Sequence, residues 1–471
     1  MLRSLLTFLS LLTILPGCTS HYETQPTLFL GDTMQCVSQL TDFYHQIEAT
    51  RTYPLPYVQD ERFPFLAFDR FSTSLSQSLN DTRSKEQWIR YVGKLGDTQL
   101  ENALKLHPAK TSNAALLREC QANLTTQSAK NAAFWMSIIE QPPKVSTDYQ
   151  HWKRVLGAYP LASFVAEGRI KEEQAHIQST FHRPLKQEYR YGDTPSSHVD
   201  TNAILASALQ QSTLNWPLLS ESQEVALLRH FAPVVSVETL SRDDLPGRLT
   251  FNHYNDAILD TTQPTIYQGV TYTRFQGNVL VQLNYVLWFA ARTAKTAFDP
   301  YAGKFDAINL RLTLDHSGQP FIFDSIHQCG CFHMVYALSP TLSFSSDEGE
   351  RPISVTLPQP DENDRLHVSL SAGEHMITQV EFTDNIQPQL PVSTLSWQQV
   401  STVPITNGEY RSPFDREGIL TESARGERWF LWPFGVRSPG AMRQQGKHAI
   451  AFIGERHFDD ALLFEELLLV E

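Results

Sequence analysis

The sequence is short of the features that would name an activity. It contains no HExxH zinc motif, no G-x-S-x-G nucleophile elbow, no Walker A loop and no G-x-G-x-x-G fingerprint, so the commonest hydrolase and nucleotide-binding scaffolds have no support in it. Gly435 to Gly440 holds Ser438, but at the wrong spacing for an elbow. Basic residues are outnumbered, 38 Lys and Arg against 51 Asp and Glu, and the formal net charge is -13. A field of that sign excludes nucleic acid or anionic lipid as a partner held through overall charge. Long apolar runs are missing from the body of the chain. The longest candidate, Val279 to Ala291, is interrupted by Gln282 and Asn284 and falls short of the roughly 20 residues a membrane span needs, so it reads as a buried strand. Cysteine is scarce as well, with five in 471 residues.

What is present begins at the N-terminus. Arg3 is followed by the apolar stretch Leu5 to Leu15, and then by Leu15, Pro16, Gly17 and Cys18. A short positive segment, an apolar segment too short to span a bilayer and a small residue before a cysteine resemble the lipobox signal of bacterial lipoproteins. The resemblance covers about the first twenty residues. It implies cleavage after residue 17, acylation of Cys18 and attachment to a lipid bilayer of the cell envelope. Thr19 stands where an inner-membrane retention signal would have aspartate, which implies an outer-membrane anchor facing the periplasm.

The mature chain carries 41% hydrophobic and 11% aromatic residues, the composition of a folded protein and not of a disordered stalk. Its length favours two domains, since single cores stop growing at roughly 250 to 300 residues. The fold class expected is α+β: a helical domain over 18–182, a connection over 183–200 rich in Pro, Gly and Ser, and a mainly antiparallel β-rich domain over 201–471. Helical spacing is clear where Cys36, Leu40, Phe43 and Ile47 repeat at i, i+4, i+7 and i+11, and where Leu117, Cys120 and Leu124 repeat at i, i+3 and i+7. Ser84 with Gln87, and Ser220 with Gln223, have the spacing of capping boxes. Beyond Val234 the period changes to two. Ile308, Leu310, Leu312 and Leu314 alternate with polar residues, and Asp315 to Gly318 supplies a turn into Phe321 and Phe323, so a hairpin is expected there. Ala449 to Ile453 is expected as a further strand.

With Cys18 acylated, four cysteines remain, and three pairings are open to them in an oxidising compartment. Neighbourhood along the chain favours Cys36 with Cys120, each on the apolar face of a helix, and Cys329 with Cys331. The second pair belongs to the run His327, Gln328, Cys329, Gly330, Cys331, Phe332, His333, in which four soft or borderline ligands alternate. On a strand all four would share one face. They would also be spread over roughly 20 Å, so they could close on one ion only if the chain bent, most easily at Gly330. His448 and His457 are the obvious additional donors. Three readings stand side by side: a zinc or copper site, since thiolate and imidazole suit those ions; a strained, reducible disulfide between Cys329 and Cys331; and ordinary buried core. Gln282 and Asn284 are secondary candidates, because a buried amide without a partner costs about 1 to 3 kcal/mol and must either bond a neighbour or line a pocket. Two functions follow as expectations. One is a non-catalytic binding or envelope-scaffold protein; the alternative is a zinc-dependent hydrolase using residues 327 to 333.

Overall fold

The computed structural model describes residues 29, 31–50, 56–107, 113–194, 199–210, 212–345 and 349–470; Cys18 and the expected signal segment 1–17 lie outside them. The described chain is α+β. Helices come first: α1 (Asp32–Thr50), α2 (Arg70–Ser74), α3 (Thr82–Leu106), α4 (Ala114–Ser128), α5 (Ala132–Glu140), α6 (His151–Leu156) and α7 (Tyr159–Ser179). They are followed by α8 (Thr201–Gln210), α9 (Glu221–His230), α10 (Arg428–Leu431) and α11 (Leu463–Leu467).

Capping decides where α3 and α9 begin. Ser220 and Gln223 cap α9 reciprocally, as their spacing requires. At α3 the start lies earlier than the Ser84 and Gln87 pair suggests. Asp81 is the N-cap, its carboxylate accepting from the Arg83 and Ser84 amides at 2.8 and 3.0 Å. Ser84 is thereby used as the third helical residue, and Gln87 is free to donate to the Trp216 carbonyl. Cys36 of α1 and Cys120 of α4 are joined by a disulfide, with Cα atoms 5.1 Å apart.

The helical layer packs on an aromatic core around Phe63, Phe65, Phe68, Trp88 and Phe134. Trp216, Val279 and Ala461 belong to the same cluster, so helices and strands share apolar interior. Helix α7 is different. Among its 21 residues only Ile177 is buried, and Leu161, Phe164 and Val165 are exposed beside Trp152, Val155 and Leu156 of α6.

The strands are β1 (Glu188–Tyr191), β2 (Val234–Glu238), β3 (Pro246–Phe251), β4 (Ala257–Asp260), β5 (Thr265–Phe275) and β6 (Asn278–Arg292). Next come β7 (Gly303–Leu314), β8 (Pro320–His327), β9 (Met334–Ala337), β10 (Leu342–Phe344), β11 (Ile353–Thr356) and β12 (Arg365–Leu370). The last are β13 (Ile377–Thr383), β14 (Ser393–Ser396), β15 (Val403–Pro404), β16 (Tyr410–Arg411) and β17 (Leu468–Val470). The stretch 183–200 thus carries the edge strand β1, which pairs antiparallel with β2. Residues 449–453 make no strand; only Ala449 bridges to His457. The final segment is helical over α11 and then extended in β17, which pairs with β10.

The main sheet runs β11-β9-β8-β7-β6 and continues from β6 to β3 and β4 on one path and to β5 and β14 on the other. Its two faces differ in chemistry because side chains alternate. Leu283, Tyr285, Leu287 and Phe289 of β6 lie in register with Leu312, Leu310, Ile308 and Asp306 of β7, so this face is apolar until it reaches Asp306. The opposite face is polar. There Gln282 and Asn284 of β6 stand beside Thr313 and Arg311 of β7, and Arg311 beside Asp324 of β8.

Candidate functional site

The run 327–333 is a turn and not a strand. β8 ends at His327, the Gly330 amide donates back to the His327 carbonyl at 2.8 Å, and the His327 amide donates to the Cys331 carbonyl at 3.0 Å. Gly330 takes φ +90°, and a Cβ there would lie 2.2 Å from the Ala449 carbonyl oxygen, so only glycine fits under the C-terminal segment. The turn breaks the alternation on which a shared face depended. His327 is in register with Ile308, on the apolar face beside Asp306; His333 donates from Nε2 to the Asp324 carboxylate at 3.2 Å, on the polar face. Cys329 is buried among Phe305, Ala307, Leu420 and Met442, with Cys331 half-buried at its side, and both are free thiols.

Each histidine joins a different buried carboxylate. Asp306 takes Arg425 at 3.1 Å and His327 at 3.5 Å on one oxygen, and His375 at 2.9 Å on the other. His375 lies between Asp306 and Asp244 and stacks on Phe289 at 3.8 Å. Burial pushes the Asp306 carboxyl up, yet Arg425 and the two imidazoles outweigh it and hold it well below the usual range. Burial also raises Asp244, but His375 and three backbone amides bring it down to about 2. Burial lowers His375, and its two carboxylates reverse the sign. His327 stays lowered, burial being the larger effect. Phe305, Phe332 and His375 all hold φ between +52° and +60°, so backbone strain is concentrated around Asp306. Beside this cluster Glu427 is buried, and desolvation lifts its carboxyl to about 7 against the opposing pull of Arg425 and Arg292.

On the other face Arg311 forks onto Asp324 at 2.8 and 2.6 Å, donates to the Phe458 carbonyl at 2.6 Å and lies 3.5 Å over the Phe458 ring. His448 is buried near the Gln328 backbone, and burial with the nearby Arg443 and Arg311 charges pushes its imidazole down to about 3. His457 accepts from the Asp148 amide at 3.2 Å. The C-terminal segment therefore does meet the turn, through Ala449, His448 and Arg443, but the six His and Cys side chains do not converge. Among the described residues no group of three or more His, Cys, Asp or Glu side chains is placed to hold a metal ion, so this donor set does not fit the expected zinc or copper.

The larger feature is a cavity of about 710 Å³ between the helical layer and the main sheet. Its helical end is walled by Phe71, Tyr91, Trp216 and Tyr272, whose ring centroids are 4.9 to 6.0 Å apart. Its sheet end is walled by Tyr267, Gln282, Val286 and Trp288, and by Trp397, which packs so closely on β5 that a Cβ at Gly269 would lie 2.3 Å from the indole. Gln282 lines the cavity and bonds Thr271 and Thr313. Asn284 does not line it; it is held beneath by Thr271 and Asn309. Three further lining residues, Trp288, Gln328 and Gln444, are at most 4% exposed, and the Trp288 Nε1, Gln328 Oε1 and Gln444 Oε1 atoms have no hydrogen-bond partner among the described residues. Arg443 fixes this corner, donating from its backbone to the Gln328 carbonyl at 2.8 Å and from Nε to the Cys329 carbonyl at 3.1 Å.

Sequence reasoning passed over Asp306, His375, Glu427, Arg443, Gln444 and the aromatic walls. Each looks ordinary in its own segment, and they meet only because β6, β7 and the C-terminal segment bring distant stretches together. Comparisons with known protein families, with characterised proteins and with solved structures find no match for this chain.

Proposed function

We propose that this chain is a lipid-anchored cell-envelope protein that binds a ligand, without turning it over, in the cavity between its helical layer and its main sheet. The anchor rests on the lipobox resemblance at Cys18. Binding rests on one observation above others: three cavity-lining side chains are nearly fully buried and carry unpartnered polar atoms. Such atoms cost about 1 to 3 kcal/mol each unless something completes them, and concave sites with aromatic walls and a few convergent polar groups are where ligands bind. The catalytic alternative lacks a comparable support, because the residues it needed are divided between two faces of a sheet.

Two measurements test this reading. Mass spectrometry of the mature N-terminus is expected to find acylated Cys18, and Cys18→Ser is expected to leave the membrane fraction; an unmodified Cys18 would refute the anchor. For binding, thermal unfolding of the full chain is followed with neutral oligosaccharides, nucleosides, fatty acids and peptides. At least one class is expected to raise Tm, and Gln328→Met is expected to reduce the rise at the same ligand concentration. If no class does so, the cavity is not a ligand seat.

A further inference from the structure

The cavity walls also restrict the chemistry of what they can take, and this step rests on reading the cavity as a ligand seat. The charges built into its buried walls are matched, while Arg90, Glu221 and Lys447, of both signs, line it without an ion pair among the described residues, Arg90 and Glu221 exposed to solvent and Lys447 half-buried. Lys94 is paired with Glu224 at 3.2 Å, Arg311 with Asp324, and Asp69 with the Tyr91 hydroxyl at 2.6 Å, while Arg443 is engaged by backbone carbonyls. An anionic or cationic ligand seated against the buried walls would meet no free countercharge there and would lose its hydration for little return. A purely apolar ligand fits no better, because it would leave the Gln328 and Gln444 carbonyl oxygens and the Trp288 N–H still without partners.

What remains is a neutral molecule with many donors and acceptors and also with apolar faces. The unpartnered atoms of the lining include acceptors on Gln328, Gln444 and Gln445 and donors on Asn102, Trp216 and Trp288, a set that hydroxyl groups answer because each can both give and accept. The half-buried rings of Trp397, Tyr91 and Tyr272 offer flat surfaces in the same cavity. A pyranose presents C–H groups on its ring faces and hydroxyls around its rim, which matches aromatic walls with amides at their edges. The cavity has the size of sites that enclose ligands of several rings. We propose that the cavity is a seat for a short neutral oligosaccharide, its ring faces against Trp397, Tyr91 and Tyr272 and its hydroxyls on Gln328, Gln444 and Trp288.

The test is calorimetric titration of the full chain in a non-glycosidic detergent, with tryptophan fluorescence as a second readout. The probes are maltotriose, tri-N-acetylglucosamine, trigalacturonate, adenosine and palmitate. A neutral trisaccharide is expected to bind saturably and to change tryptophan emission, whereas trigalacturonate does not bind. Gln328→Met and Gln444→Met are each expected to weaken that binding about tenfold, the loss of one buried hydrogen bond. Unliganded Gln328→Met is expected to melt no lower than the parent, since it removes an unpartnered polar atom; an amide with a purely structural role would behave in the opposite way. Saturable binding of adenosine or palmitate, sensitive to Gln328→Met, with no response to either neutral trisaccharide, would overturn the saccharide proposal and leave the cavity a ligand seat. No response to any probe up to millimolar concentration would overturn both, as would trisaccharide binding that neither glutamine variant alters.

Discussion

The Asp306 cluster and the cavity between helices and sheet are both polar and both buried, but they differ in which groups are matched: the charges in the first, only some of the neutral groups in the second. Around Asp306 and Asp244 every carboxylate oxygen has a partner: Arg425, His375, the Gly373 amide, and the amides of Leu240 and Ser241; both ring nitrogens of His327, His375 Nε2 and Arg425 Nε make no hydrogen bond among the described residues, so it is the charges that are matched there and not every donor. In the cavity, Gln328, Gln444 and Trp288 hold atoms with none among the described residues. A closed set of charges braces a fold, and removing a member exposes the others. An open set costs stability in the free protein and returns it on binding. The difference assigns architecture to the first region and recognition to the second.

The strongest way to break that assignment is Asp306→Ala. It would leave Arg425 and His375 facing one another in a dry interior, and a loss of roughly 3 to 5 kcal/mol is expected in urea unfolding. A loss below about 1 kcal/mol would mean that the cluster does not brace the sheet. Cys120→Ser supplies a scale from a residue that belongs to neither region. Opening a bridge between residues 84 apart is expected to cost about 2 to 4 kcal/mol, read from the same unfolding curves under non-reducing conditions.

Acid–base behaviour sharpens the comparison next. Glu427 is raised to about 7, so the folded chain holds a proton that the unfolded chain gives up near 4.5. Its contribution is fully present below pH 4.5 and is lost as pH rises through 7. Glu427→Gln is expected to remove a decline of roughly 2 to 3 kcal/mol between pH 5 and pH 8. His448 runs the other way. Lowered to about 3, it is neutral in the folded chain, so its contribution is present above pH 6.5 and falls on acidification toward 3. His448→Gln is expected to flatten the acid side of the profile while leaving the Glu427 limb in place; a parallel shift of the whole curve would contradict these assignments. The smallest effect, and one of opposite sign, is expected at the open region, where Gln328→Met removes an unpartnered polar atom and raises unfolding free energy by about 1 kcal/mol.

Local patterns carried the elements well. The period of two across Ile308 to Leu314, the turn at Asp315 and the Ser220 cap all appear where the spacing puts them. The Cys36 and Cys120 faces were legible for the same reason: helical spacing turns both inward. The 327–333 run misled because alternation implies one face only while the chain remains extended, and Gly330 and Phe332 take left-handed conformations that the sequence does not announce. Of the site, Gln282 was legible as a buried amide on an otherwise apolar strand. Gln328 and Gln444 were not, since 116 positions separate them and only the Arg443 amide on the Gln328 carbonyl sets them together.

The disulfide has a mechanical consequence. Helix α1 opens at Asp32, and Cys36 sits about one turn into it, joined to α4. If Cys18 is the acylated anchor proposed above, tension drawn through it would reach that covalent knot before it could peel the helix from the layer beneath. Thermal motion of the tether, or drag on the body of the protein, would be carried across to α4 and shared with the aromatic core, so the walls of the cavity would keep their spacing under load.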